Sequence, residues 1–290
     1  MISPPEPISG GRWLSVWPTG QDTVAGQLPA GTTGGGMPSA VAAHAIAAYT
    51  HPGAIVVDPD CAGGVVLAEA VRTGRHAIGS TTDPSRWELA RATVTASKSR
   101  GAPGDGMVLD QLPHGRSWIA WPLADLVLTM IHRRSAAGFG DIPAGELGLT
   151  RRRPPPDWLH ALLAAYRNLA RVEGRLVIVT PPGVGGIPPS DLASQVLTVG
   201  RRVGLLPVER AAALTSPVRN GVLAVTLDAA RTPTTGRSRA HPTHLDVIVF
   251  RRVEAASLGL RLTGPTPSAI TALRPAAGGH RPTWRTYHAA

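Results

Sequence analysis

The chain is 290 residues long, 43% hydrophobic and only 4% aromatic: long enough for a sizeable core, too poor in rings for an extended base-stacking platform, and without the roughly 18 consecutive apolar residues of a membrane span. Its N-terminus lacks the charged start and apolar segment of a signal peptide, and with Cys61 as the only cysteine no internal disulfide can form, so a cytoplasmic location is expected. The net charge of +10 is almost wholly arginine, Lys98 being the only lysine, which fits either a polyanionic partner such as nucleic acid or the codon usage of a GC-rich genome.

Residues 1–36, rich in Gly, Pro and Thr, read as an irregular N-terminal arm. Trp13 and the cluster Ser15-Val16-Trp17-Pro18-Thr19-Gly20-Gln21 place two tryptophans in it, which implies that the arm packs back on the body. From Pro38 to Tyr49, Val41, Ala45 and Tyr49 recur at helical spacing and mark a short amphipathic helix, on which His44 reads as an ordinary surface or partly buried histidine. The apolar run Ala54–Val57 then ends in Asp58-Pro59. A small-residue turn, Cys61-Ala62-Gly63-Gly64, leads into a helix from Val65 to about Thr73 and a second apolar run at His76–Ile78. Strand, turn, helix and strand in about thirty residues make one βαβ unit, which holds a nucleotide-like ligand at the carboxyl end of its first strand, against the helix N-terminus. Cys61 reads as a small residue lining the turn, with a nucleophile or metal ligand as the alternative.

Asp83-Pro84 opens a helix to about Ser97. The glycine-rich turn at 101–106 precedes a strand at Met107–Asp110, and after a loop with Trp118 and Trp121 comes a buried strand, Ala124–Thr129. Residues 131–156, glycine-rich and basic, read as a surface loop or flap closing with Arg151-Arg152-Arg153. Asp157 fits the N-cap of a helix whose Leu159, Leu162, Leu163, Tyr166 and Leu169 share one face; Gly174 ends it before a strand at Arg175–Thr180. A helix at about 190–203, strands at Leu206–Leu214 and Asp246–Arg251, a short apolar run at Val222–Leu227 and an aperiodic tail, 253–290, complete the chain. Alternating strands and helices predict an α/β fold, a mostly parallel seven-stranded sheet with helices on both faces. The last two strands, with no helix between them, suggest an antiparallel edge strand.

In this order the segments carry a family likeness. The turn Asp58-Pro59-Asp60-Cys61-Ala62-Gly63-Gly64 and the stretch LAEAVRTGRHAIG (67–79) resemble the DPF/M-C-G-x-G-T-T loop and the L-x-E-A-x-x-x-G-R-x-x-I-G that follows it in the Rossmann-fold, S-adenosylmethionine-dependent amino-methyltransferases of DNA or RNA bases. ADLVLT (124–129) corresponds to the strand that carries that family's catalytic motif, and EGRLVIVTPP (173–182), GLLPVERAAAL (204–214) and DVIVFRR (246–252) resemble its last strands. More narrowly, the chain is similar to an actinobacterial group of DNA methylases and tRNA-methylase-like proteins, which share the Ser15-Val16-Trp17 cluster; the likeness runs from about Ser15 to Arg252.

The resemblance implies a Rossmann-like methyltransferase domain over 37–252, no metal, and S-adenosylmethionine held by Asp58, Cys61, Gly63, Gly64, Thr81, Asp83 and Asp110. Asp58 would hold the cofactor's ammonium group and Asp110 its adenine amino group. Thr81 stands where the family has the acid that takes the ribose hydroxyls, with Asp83 the acidic residue that follows; Asp60 replaces an apolar residue, and Ala62 a glycine whose role Gly63 could take by a one-residue shift. At the S/N/D-P-P-Y/F motif the chain reads Thr129-Met130-Ile131-His132. Thr129 would accept from the target amino group and His132 would stack on a flipped-out base, but both prolines that fix the loop are absent. Two functions stay open: methyl transfer to an amino nitrogen of a base, DNA before tRNA, with Arg133, Arg134 and Arg151–Arg153 on phosphates, or a relative that keeps the fold and acts as a binding or scaffold protein. A nicotinamide enzyme is disfavoured, because no G-x-G-x-x-G follows the first strand.

Overall fold

The computed structural model describes residues 14–20, 36–110, 124–131, 157–182, 192–220, 222–223 and 243–254. In chain order they form β1 (Leu14–Trp17), α1 (Ser39–Tyr49), β2 (Ile55–Asp58), α2 (Val65–Arg72), β3 (His76–Ser80), α3 (Pro84–Ser99), β4 (Asp105–Leu109), β5 (Ala124–Met130), α4 (Trp158–Leu169), β6 (Ala170–Thr180), α5 (Leu192–Arg202), β7 (Leu205–Leu214), a small hairpin of β8 (Val218–Arg219) and β9 (Val222–Leu223), and β10 (His244–Arg252).

Eight strands share one sheet in the order β4-β3-β2-β5-β6-β10-β7-β1. All neighbours are parallel except β10, which runs antiparallel to both β6 and β7. This is the expected Rossmann-like α/β sheet, with eight strands rather than seven. The added strand is β1, whose Leu14–Trp17 pair with Arg210–Ala213 of β7. The antiparallel strand expected at the edge is β10, and it lies between β6 and β7, so that β7 and β1 form that margin of the sheet. Strand order reverses between β2 and β5, and ligands of open α/β sheets bind at such a switch point, outside the carboxyl ends of the strands.

Residues alternate between the two sheet faces. Val56, Leu126, Leu128, Val177 and Val179 pack under α1 and α2, while Val57, Val127, Leu176, Ile178, Ile248 and Phe250 pack under α4 and α5. Central strands buried on both faces explain the unbroken apolar runs of β5 and β6. The apolar face read for α4 is buried at all five positions. Its ends differ from the sequence reading: Asp157 makes no side-chain cap bond, and the helix stops at Leu169 with β6 already begun at Ala170. Glu173, at φ 66°, lies within that strand, and Gly174 packs where an added Cβ would come within 2.8 Å of Ala124 O and Arg171 O, so this glycine serves the strand and not the helix end. Asp83 caps α3 as expected, accepting from Ser85 N–H (2.9 Å) and Arg86 N–H (3.3 Å), with Pro84 at the first helical position. Among the described residues no helix is long and apolar enough to cross a membrane.

Candidate active site

The carboxyl ends of β2, β3, β4 and β5 gather Asp58, Thr81, Asp110 and Thr129 around the switch point. Asp58 closes β2 with only 4% of its surface exposed. Burial, followed by the neighbouring Asp60 carboxylate, pushes its pKa up to about 8, against the opposing effects of the Asp60 N–H (3.2 Å to Oδ1) and the Thr129 hydroxyl. Thr129 Oγ1 is buried close enough to Asp58 to favour its ionised form, yet among the described residues it makes no hydrogen bond of ordinary geometry.

The turn into α2 is held by Cys61 N–H to Ser80 O (2.9 Å), Gly64 N–H to Cys61 O (2.6 Å) and Ser80 Oγ to Pro59 O (2.9 Å). Cys61 is 2% exposed and sits on bare Gly79, where a Cβ would approach its Sγ to 2.9 Å and Leu67 Cδ1 to 2.5 Å. Burial, then Asp58 and Asp60, raise its thiol pKa, so the thiolate that a nucleophile or metal ligand needs is suppressed. The left-handed positions of the turn are Ala62 (φ 42°) and Gly64 (φ 80°). Gly63 is not among them, so the one-residue shift does not occur and Ala62 itself takes the conformation that glycine favours. Gly64 is also needed for space, since a Cβ there would come within 2.9 Å of Ala90 Cα on α3.

Thr81 is buried; its N–H donates to Leu109 O (3.1 Å) and its Oγ1 accepts from Asp83 N–H (3.3 Å), which leaves the hydroxyl hydrogen to donate elsewhere. Asp83 is spent on capping α3 and on an ion pair with Arg86 (3.6 Å). Asp110 follows β4 at an exposed position. At the catalytic-motif segment, Met130 pairs with Val179, and Ile131 is buried with its N–H on Val179 O (2.9 Å), so the β ladder runs past Thr129. His132, the basic loop with Arg133, Arg134 and Arg151–Arg153, and Trp118 and Trp121 lie outside the described residues.

Two further groups belong to this site. Tyr166 of α4 is buried, and its hydroxyl pKa is raised by burial and then by Asp60 and Asp58, which puts it within electrostatic reach of the β2 end. The sequence shows it only as one member of an apolar stripe. Thr180 ends β6 as Thr129 nears the end of β5, and its buried Oγ1 likewise has no hydrogen-bond partner among the described residues. The legible signal was two apolar strands, ADLVLT and RLVIVT, each closing in threonine. Among the described residues no group of three or more His, Cys, Asp or Glu is placed to hold a metal ion.

No protein-family model and no curated protein matches the sequence. Solved structures resemble it in fold. A TehB-like SAM-dependent methyltransferase from Corynebacterium glutamicum aligns with 73% of this chain and 86% of its own at 17% identity and a TM-score of 0.41. The precorrin-6y C5,15-methyltransferase of Geobacter metallireducens aligns with 73% of this chain and 87% of its own, at 12% identity and a TM-score of 0.45. Magnesium protoporphyrin IX methyltransferase from Synechocystis, solved with bound SAM, aligns with 73% and 76% at 14% identity and a TM-score of 0.43. The strand order, rather than these scores, defines the architecture.

Proposed function

We propose that the protein binds S-adenosylmethionine at the carboxyl ends of β2, β3 and β4 and transfers its methyl group to an amino nitrogen of a nucleic-acid base, in DNA before tRNA. The observation that carries this reading is the carboxylate pair at the end of β2, buried Asp58 and adjacent Asp60, set before the N-terminus of α2. A sulfonium and an ammonium are cations, and they would favour the ionised form of a carboxyl that burial now holds near pKa 8. The Asp60 carboxylate would repel the pyrophosphate of a dinucleotide, which in other βαβ units rests at this helix end. The donor set therefore fits a cationic cofactor. Once bound, it supplies an electrophilic methyl group; the chain's own residues position it. Asp58 and Asp60 hold positive charge, Thr81 offers a hydroxyl to the ribose in place of a carboxylate, Asp110 accepts on the adenine side, and Thr129 is the acceptor for the target amino group.

One observation favours a second reading, a protein that keeps the fold and the ligand without the transfer. The Ile131 N–H to Val179 O bond is one that proline cannot make, so β5 continues where the family motif has a loop fixed by prolines. Titration calorimetry with S-adenosylmethionine, followed by transfer of a radiolabelled methyl group to genomic DNA and to bulk tRNA, separates the possibilities. Micromolar binding with incorporation is the expected result. Binding without incorporation into either polymer would leave the second reading, and no binding would remove the cofactor from both.

A further inference from the structure

At the end of the sheet opposite the candidate site, five arginines crowd together: Arg167 at the last turn of α4, Arg171 and Arg175 on β6, and Arg251 and Arg252 on β10. Arg175 and Arg251 face each other directly across the β6–β10 ladder. Like charges directly opposite in an antiparallel pair are destabilising, and among the described residues Glu173 is the acid that lies beside this pair. Among the described residues, carboxylates meet only two of the five: Arg171 Nε donates to Asp125 Oδ1 (2.6 Å) and Arg251 Nη1 to Glu173 Oε2 (2.7 Å). Arg175 Nη1 turns to the Glu173 carbonyl (2.8 Å), Arg252 Nη1 to the Ala170 carbonyl, and Arg167 Nη1 to Asn168 Oδ1 (3.5 Å). Among the described residues the buried Nε atoms of Arg167, Arg251 and Arg252 have no hydrogen-bond partner. Burial and then Arg251 lower the pKa of Arg175, and burial and then Arg167 lower that of Arg252, as expected of guanidinium groups that repel one another.

Consecutive strand residues point to opposite faces, so Arg251 and Arg252 carry the charge around the sheet end instead of into one cavity. That spread suits a chain of phosphates better than a single small anion. We infer that this arginine end is a second contact surface for a phosphodiester backbone, separate from the candidate active site. The inference rests on the nucleic-acid reading above for its partner. From Arg175 to Thr180 the distance along β6 is roughly 17 Å, at about 3.3 Å per residue, so one folded or duplex nucleic acid could touch both ends.

The test is fluorescence anisotropy of the full chain with a labelled random-sequence DNA duplex and with labelled tRNA, over a salt series. Arg175→Gln/Arg252→Gln is compared with Arg91→Gln/Arg100→Gln, which removes the same charge from α3 and its C-cap, beside β4 at the other margin of the sheet. The first double variant should weaken binding about tenfold or more and reduce the slope of log K against log salt by about two, with the control much less affected. Loss with only one of the two polymers supports the inference and identifies the source of the backbone. Equal loss in both variants, an unchanged salt slope, or no binding of either polymer by the wild type overturns it. Thermal melts establish that the variants fold. S-adenosylmethionine calorimetry on Arg175→Gln/Arg252→Gln is expected to match the wild type, so a failure here stays distinct from a failure of the cofactor reading.

Discussion

Ala62 carries a positive φ of 42° in the turn that leads into α2, a region in which a side chain costs about 1–2 kcal/mol relative to glycine. Glycine would relieve that strain but gain freedom in the unfolded chain, so Ala62→Gly is expected to stabilise the protein by a net of about 0.5–1 kcal/mol in urea denaturation. An unchanged or lower midpoint would mean that the turn does not hold Ala62 under strain. Asp58 gives a sharper residue-scale test. Its folded pKa of about 8 stands above the usual carboxyl value, so the folded state binds more protons than the unfolded one between about pH 4 and pH 8. The stability it allows is complete below the unfolded pKa and is lost as pH rises through the folded one, at up to about 1.4 kcal/mol per pH unit. Asp58→Asn, which cannot ionise, should flatten that decline and be the more stable protein at pH 8. Parallel stability curves for the two proteins would rule out the raised pKa.

At the scale of elements, β1 is tied down by a residue that sequence periodicity does not mark. Glu209 on β7 accepts hydrogen bonds from Ser15 Oγ, Trp17 Nε1 (3.0 Å) and the Tyr49 hydroxyl of α1, and His44 lies 4.5 Å from Trp17 between ring centres. Burial alone would raise the Glu209 pKa, but these bonds and the charge on His44 hold it below the ordinary range. Its contribution is therefore present above the unfolded carboxyl pKa and lost as pH falls through the lower folded value. Glu209→Ala should cost about 2–3 kcal/mol and strip amide-exchange protection from Leu14–Trp17 while leaving β2 protected; loss of protection throughout the sheet would refute this local role. On the other flank, an added Cβ at Gly200 of α5 would meet the Phe250 ring at 2.4 Å, so Gly200→Ala should destabilise by about 1–3 kcal/mol in chemical denaturation. Among the elements that could be read from the sequence, α4 shows one periodic buried face, whereas α2, β5 and β10 announce themselves as short apolar runs buried nearly throughout. β1 was not legible because it is four residues long and its anchor lies 192 residues away in the chain. The start of β6 was not legible because ARVEG continues a helix-forming run, and only the tertiary ladder, with Glu173 at a positive φ, turns it into strand.

For the whole molecule, the candidate site divides in the same way. Its framework of Asp58, Cys61, Gly64 and Gly79 is contiguous enough to read as a motif, whereas its electrostatics arise only when β2, β5 and α4 bring Asp60, Thr129 and Tyr166 to one place. Charge in a cleft belongs to the assembled fold, and it is also what a ligand must answer. At pH 7 an Asp58 with a pKa of about 8 is mostly protonated. A cation seated beside it favours the carboxylate, so binding S-adenosylmethionine should expel a proton, approaching one per site if Asp58 ionises fully. Calorimetric enthalpies measured at pH 7 in buffers of different ionisation enthalpy should then fall on a line whose slope reports that release, and affinity should rise from pH 6 to pH 7 by up to about tenfold. Asp58→Asn should abolish both the slope and the rise while reducing affinity. An anionic ligand in the same cleft would release no proton from Asp58 and would hold it in its neutral form. Buffer-independent enthalpies, or proton uptake, would therefore reject the cationic site even if some binding were seen.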